Sequence, residues 1–241
     1  MGGLAKLKED RVTVVNKWSP TQFVNYTGLY DFSGPEKSHP EVWQQSHWSY
    51  ASVALHLALQ AHPIQGQRGV IFGSDGQSPW VENFAMKHGA ERLLIIEQQR
   101  VISDAPRLLQ YVTPLAVAQN YDSHVGRYDF VISFAQLGPL GLGGGGEIQE
   151  PYADISAIFR LACLLKKEGT MYLGEAMTRD GVNYNTRRIY GRIRLPLLLA
   201  GFEIRTGFLN NQATPIILDP NWLDTEHTIT YVPVLVLQKK W

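Results

Sequence analysis

The chain has 241 residues, 22 Lys+Arg against 22 Asp+Glu, seven His and one Cys, and 44% of its residues are hydrophobic. That length suits one domain with an extension, and the apolar fraction supplies a core, so a disordered chain is excluded. The lone Cys163 excludes an intrachain disulfide scaffold, and zero net charge argues against a general nucleic-acid binder.

Residues Met1 to Asp10 carry Lys6, Lys8, Glu9 and Asp10 and lack the apolar segment of a signal peptide. No run approaches the roughly 18 apolar residues of a membrane helix. The expectation is a cytoplasmic protein that does not insert into a membrane. Residues 1–40 are broken by Pro20, Gly28, Gly34, Pro35 and Pro40, and 41–61 read as a helix closed by Pro63. Residues 1–65 are therefore expected to form an N-terminal helical and irregular cap on a domain spanning 66–241.

Strand and helix signals alternate from Gly69 onward. Val70–Phe72 reads as a strand ending at Gly73, and Pro79–His88 as a helix with Gly89 beyond its end. Strands follow at Leu93–Ile96, Leu108–Val112 and Tyr128–Phe134. Asp154–Lys167 predicts a helix with Ile155, Ile158, Phe159, Ala162 and Leu165 on one stripe, and Thr170–Leu173 a strand. Arg187–Ala200 contains a further helix, and Phe202–Leu209 and Tyr231–Gln238 are the closing strands. This alternation implies α/β architecture, with a mostly parallel, doubly wound sheet covered on both faces. The two last strands, with no helix between them, predict a C-terminal antiparallel pair. That is a Rossmann-like class I methyltransferase arrangement rather than a plain dinucleotide fold.

In such a sheet, ligands bind outside the carboxyl ends of the strands. The first turn is Gly73-Ser74-Asp75-Gly76, followed by a helix near Pro79 whose free N–H groups suit an anion. Glu97, at the end of the second strand, is placed to accept hydrogen bonds from both ribose hydroxyls of an adenosine. Similar glycine turns occur without any ligand, and Gly73 and Gly76 do not complete a GxGxxG, which disfavours NAD. No Gly-Lys-Ser/Thr follows, which excludes a P-loop. Trp80 is either core packing or a shield for the ligand. The polypeptide leaving the fourth strand, from Ser133 and Phe134 to Glu147, faces the same crevice.

Glu147 follows four glycines, and Glu175 follows the fifth strand. Each reads as an acid facing substrate or, more plainly, as part of a solvated loop. Arg188 and Arg192 lie four apart and are expected on one helix face, which suits a phosphate or carboxylate or simply forms a charged surface. The seven His show no metal-ligand spacing, so no metal site is expected.

The strings GSDGQSPWVENFAMKHGA, GLGGGGE…YADI, LLKKEGTMYLGE and NTRRIYGRIRLPLLLAGFE resemble the DUF268 family across about Gly69 to Phe208. That family resembles S-adenosylmethionine-dependent methyltransferases and occurs in nematodes, plants and bacterial polysaccharide gene clusters. Gly73, Ser74, Pro79, Trp80 and Glu82 match its first block. Glu97 matches its acid, with Gln98 where the family has Tyr. Gly141, Leu142 and Gly143 match its GLG, Asp154 its Asp, and Asn185, Arg188, Tyr190 and Gly191 its late block. Gly144-Gly145-Gly146-Glu147 replaces the family's Arg-Tyr-Gly-Asp. Gly138-Pro139 stands where the family has Glu-His, and Arg187 where it has His.

The resemblance implies an S-adenosylmethionine-dependent methyltransferase acting on a glycan or small hydroxylated acceptor. Gly73, Ser74, Asp75, Gly76, Trp80, Glu97, Gln98, Ser133 and Phe134 would hold the cofactor, and Asn185, Arg188 and Tyr190 the acceptor. With the family's two His positions changed, Glu147 and Glu175 are the candidate bases. Two other readings stay open: a binding module of the same fold without catalysis, and an NAD-dependent oxidoreductase.

Overall fold

The computed structural model describes residues 49–73, 79–98, 101, 103, 105–209, 221–224 and 232–241. The described elements are α1 (Ser49–Ala61), β1 (Arg68–Phe72), α2 (Trp80–Lys87), β2 (Arg92–Ile96), β3 (Leu109–Val112), α3 (Pro114–Gln119) and β4 (Tyr128–Phe134). They continue with α4 (Ala153–Leu164), β5 (Leu165–Gly174), β6 (Gly181–Asn183), β7 (Arg187–Ile189), α5 (Arg194–Leu198), β8 (Phe202–Phe208) and β9 (Val234–Lys239).

Seven strands form one sheet in the order β3-β2-β1-β4-β5-β9-β8. The first five pair in parallel, while β9 is antiparallel to both β5 and β8. The closing pair foreseen from sequence is present, with β9 inserted between β5 and the edge strand β8. β6 and β7 form a separate antiparallel hairpin. Continuous apolar runs such as Leu93-Leu94-Ile95-Ile96 suit strands covered on both faces. One face packs Leu55 and Leu59 of α1 and Trp80 and Phe84 of α2 against Ile71, Ile132 and Val236. The other packs Val117 of α3, Ile158 and Leu161 of α4 and Leu198 of α5 against Val70, Val131 and Leu235. Each fully buried Leu, Ile or Phe contributes about 1.5–3 kcal/mol of apolar burial.

Local chemistry sets the boundaries. α2 carries Glu82 in its first turn and Lys87 in its last, each favourable to the helix dipole. It ends at Gly89, whose φ of +84° suits glycine; Gly89 N–H donates to Met86 O and Ala90 N–H to Ala85 O, a Schellman closure. α3 was not foreseen, although Thr113-Pro114 signals it: Thr113 Oγ1 accepts the Ala116 N–H at 3.2 Å and Pro114 takes the first helical position.

Two sequence expectations are corrected. The helix expected to run to Lys167 stops at Leu164, because Cys163 and Leu164 O accept the Gly126 and Arg127 N–H groups and Leu165 turns extended. Its buried stripe is Ile158, Leu161, Ala162 and Leu164, while Phe159 is exposed. In Arg187–Ala200 only Arg194–Leu198 is helical. Asn185, at φ +57°, turns the chain into the β6–β7 hairpin, so Arg188 lies on a strand and does not share a helix face with Arg192. α1 was expected to be longer; the part from 41 to 48 lies outside the described residues.

Candidate functional site

Parallel pairing brings the carboxyl ends of β2, β1, β4 and β5 side by side. Phe72 pairs with Ile96 and Ser133, and Phe134 with Gly174. The strand order reverses between β1 and β4, where the connections diverge to opposite sides and leave a crevice. Gly73, Glu97, Ala135 and Glu175 are the first residues beyond the four strand ends.

Gly73 has φ +74° and donates its N–H to Ile96 O at 2.9 Å, which fixes the first turn beside Glu97. Its open Cα face is covered by Gln136: a methyl group there would overlap that side chain. The rest of the expected turn, Ser74, Asp75 and Gly76, lies outside the described residues. Glu97 is half-buried; its N–H bonds Val112 O at 2.9 Å and its Oε1 accepts the Gln98 N–H at 2.8 Å. Nearby on β3, the Tyr111 hydroxyl meets Glu82 Oε1 at 3.4 Å, and burial together with that carboxylate raises the Tyr111 pKa. Glu82 itself is almost wholly buried.

Trp80 and Phe134 belong to the core below the crevice. Their rings meet edge to face at 4.8 Å, and Trp80 also packs on Phe84. Ser133 is wholly buried, and its hydroxyl has no hydrogen-bond partner among the described residues.

The loop after β4 is built from both hydrogen-bonding polarities. Ala135 holds a left-handed φ of +54° and donates its N–H to Gly174 O at 2.7 Å. The three following amides, of Gln136, Leu137 and Gly138, converge on the Glu175 carboxylate. Glu175 is only 2% exposed, which corrects the solvated-loop reading. Burial pushes its carboxyl up to about 8, against the pull of the three amides.

Arg188 serves the carbonyls of the same loop. Its guanidinium, 3% exposed, bonds Gly138 O, Leu140 O, Glu150 O and Pro151 O. Behind it, the buried Asp154 accepts the Tyr190 hydroxyl at 3.0 Å and pairs with Arg194 at 2.6 and 2.9 Å. Burial pushes Asp154 up, but Arg194, Arg188 and Tyr190 outweigh it and hold the carboxyl below its ordinary range. Asp180 fastens the turn into α5 by accepting the Gly191, Ile193 and Arg194 N–H groups.

Thus Gly73, Glu97 and Glu175 lie along one sheet edge, and Asn185 and Arg188 flank the loop that leaves it. Asn185 stands exposed against Gly143 and Gly144. Glu147 is half-buried; its Oε1 accepts the Leu142 N–H at 3.3 Å, and Oε2 has no partner among the described residues. Tyr190 is wholly buried, with its hydroxyl turned to Asp154 and away from solvent. Gln136 and Asp180 escaped the sequence reading. For Gln136 the available signal was its place just beyond the fourth strand; for Asp180 it was the Asp-Gly turn. A cavity of about 700 Å³ opens at the opposite edge, where Arg68 pairs with Glu91 and Lys166 with Asp129; it is separate from this crevice. Among the described residues no three His, Cys, Asp or Glu gather as metal ligands, and no helix is long and apolar enough to cross a membrane.

No curated protein matches the chain. Among solved structures, a Listeria monocytogenes protein assigned to the S-adenosylmethionine-dependent methyltransferases is similar at 13% identity and a TM-score of 0.50, covering 81% of this chain and all (100%) of that one. A Mesorhizobium loti S-adenosylmethionine-dependent methyltransferase aligns at 17% identity and a TM-score of 0.44, over 77% of this chain and 97% of its own. The Listeria likeness agrees with the strand order: the chain has the class I methyltransferase fold. The profile of the Caenorhabditis proteins of unknown function, DUF268, matches residues 66–240, which takes in every strand of that sheet, so the chain belongs to the DUF268 family.

Proposed function

We propose that this chain is an S-adenosylmethionine-dependent methyltransferase acting on a hydroxylated acceptor. The observation that carries the reading is the adjacency of Gly73 and Glu97, a left-handed glycine and an acid on neighbouring strand ends, with the glycine beside the point where strand order reverses. The residues fit an adenosine-bearing cofactor: an acid for the ribose hydroxyls and, on the neighbouring strand end, a left-handed glycine. When bound, that cofactor supplies an activated methyl group on a sulfonium. Glu97 would hold the ribose, with Gln98 beside it, and Gly73 with Ser74, Asp75 and Gly76, which follow it in sequence, would take the part beyond the sugar. Asn185 orients the acceptor from the hairpin turn. Glu147 takes the acceptor's hydroxyl proton on Oε2.

Titration calorimetry with S-adenosylhomocysteine tests the reading. Micromolar binding by the wild type, weakened about tenfold or more in Glu97→Ala by loss of charged hydrogen bonds, is the expected result. No heat up to millimolar ligand overturns it.

A second reading, binding without methyl transfer, is favoured by one observation. Glu175 is buried under three amides and Arg188 is spent on carbonyls, so Glu147 alone of the two candidate bases keeps an oxygen without a partner among the described residues. Methyl transfer that vanishes in Glu147→Gln overturns this second reading.

A further inference from the structure

Gln136 stands in the crevice with its backbone fixed and its side chain lying against Gly73. The residue before it, Ala135, is held at φ +54°, a conformation costly for any residue with a Cβ and one that gathers at functional sites. Its own N–H and the next two are tied to Glu175. Its side chain therefore starts from a set direction and reaches back over Gly73, whose missing Cβ makes the room. The carboxamide, half-buried, makes no hydrogen bond among the described residues. An amide in such a place normally finds partners, and it offers two donors and an acceptor in one plane.

The neighbouring strands say what passes there. β2, β1 and β4 are adjacent, so a ligand anchored at Glu97 and crossing Gly73 meets Gln136 next. With an adenosine at the Glu97 end, the other end of an S-adenosyl compound carries an ammonium and a carboxylate together. A neutral carboxamide suits both, since its oxygen accepts from the ammonium and its N–H₂ donates to the carboxylate, whereas a charged side chain would repel one of them.

We propose that Gln136 is a specificity-determining residue whose carboxamide, held over Gly73 between β1 and β4, reads the amino-acid end of an S-adenosyl ligand. The proposal rests on the cofactor reading above and adds a recognition residue to it.

Calorimetry on the full chain with two probes tests it: S-adenosylhomocysteine, and 5′-methylthioadenosine, which lacks the amino-acid end. Gln136→Leu keeps the bulk over Gly73 and removes the hydrogen bonds; Gln136→Ala removes both. Either variant decides, provided it melts within a few degrees of the wild type. The expected result is S-adenosylhomocysteine bound about tenfold more weakly by both variants, the loss of a hydrogen bond to a charged group, with methylthioadenosine within about twofold of wild type. Variants that bind S-adenosylhomocysteine as the wild type does, or tighter, overturn the role of Gln136 and leave the cofactor reading standing. A wild type that binds neither probe overturns both.

Discussion

The Glu175 carboxylate lies beneath the Leu137 amide and accepts its N–H at 2.8 Å, across a separation of 38 residues. With the Gln136 and Gly138 amides on the same carboxyl group, a buried acid sets the path of the chain leaving β4. The acid that follows β5 thereby shapes the wall of the crevice.

That burial has a pH signature. Glu175 has a folded pKa of about 8, raised above its ordinary value by desolvation, so it favours the native state when protonated. Its contribution is complete below the unfolded value near 4.5 and is lost as pH rises through about 8. Wild-type stability is expected to decline across that window by up to about 4–5 kcal/mol relative to Glu175→Gln. Melting curves of both proteins from pH 4.5 to 8.5 check this; parallel profiles would refute it.

Arg188 acts on the other polarity of the same loop, and its role depends on geometry as well as charge. Lys cannot reach the four carbonyls of Gly138, Leu140, Glu150 and Pro151 with a planar fork. Arg188→Ala is expected to cost about 3 kcal/mol, and Arg188→Lys to recover little of it. Hydrogen exchange reads the loop directly: the Glu150 amide, bonded to Gly141 O at 2.9 Å, should exchange at least about tenfold faster in both variants. Unchanged protection in Arg188→Lys would show that charge alone suffices.

What could be read from sequence divides along these contacts. β4 was legible at both ends because YDFVISF is a long apolar run whose burial on both faces leaves little alternative. The placement of Gly73, Glu97 and Glu175 on one edge needed only the strand positions and the rule for open parallel sheets. The end of α4 was not legible, because its apolar pattern continues into β5 and the cap comes from Gly126 and Arg127, far upstream. The Arg-rich late block reads as helical from sequence, but Asn185 turns its first part into a hairpin and Asp180 fastens the turn into α5. The environments of Glu175, Arg188 and Gln136 arise from partners 37 to 63 residues away, which no local pattern encodes.

Asp154 holds the second layer of this framework. Asp154→Asn leaves Arg194, the Tyr190 hydroxyl and Arg188, 4.0 Å away, around a neutral amide in a buried place. Breaking such a buried pair is expected to cost about 3–5 kcal/mol. Tyr190→Phe removes one hydrogen bond and should cost about 1 kcal/mol. Because the Asp154 carboxyl is held below its ordinary range, its contribution is present above the unfolded value near 3.8 and is lost as pH falls through the lower, folded one. Urea midpoints of both variants at neutral pH check the order; equal losses would refute it.

Gly73 and Gln136 should be energetically coupled. Gly73→Ala places a Cβ at φ +74°, which costs about 1–2 kcal/mol for an L residue in the left-handed region. The same Cβ overlaps the Gln136 side chain, and forcing bulk into a filled space costs about 1–3 kcal/mol more. In a Gln136→Ala background the overlap is gone and the conformational cost remains, so the penalty of Gly73→Ala should shrink by about 1–2 kcal/mol. A urea-denaturation cycle on the four proteins measures that difference. Strict additivity would mean that Gln136 swings away from Gly73 at no cost and does not fill the crevice in the resting protein.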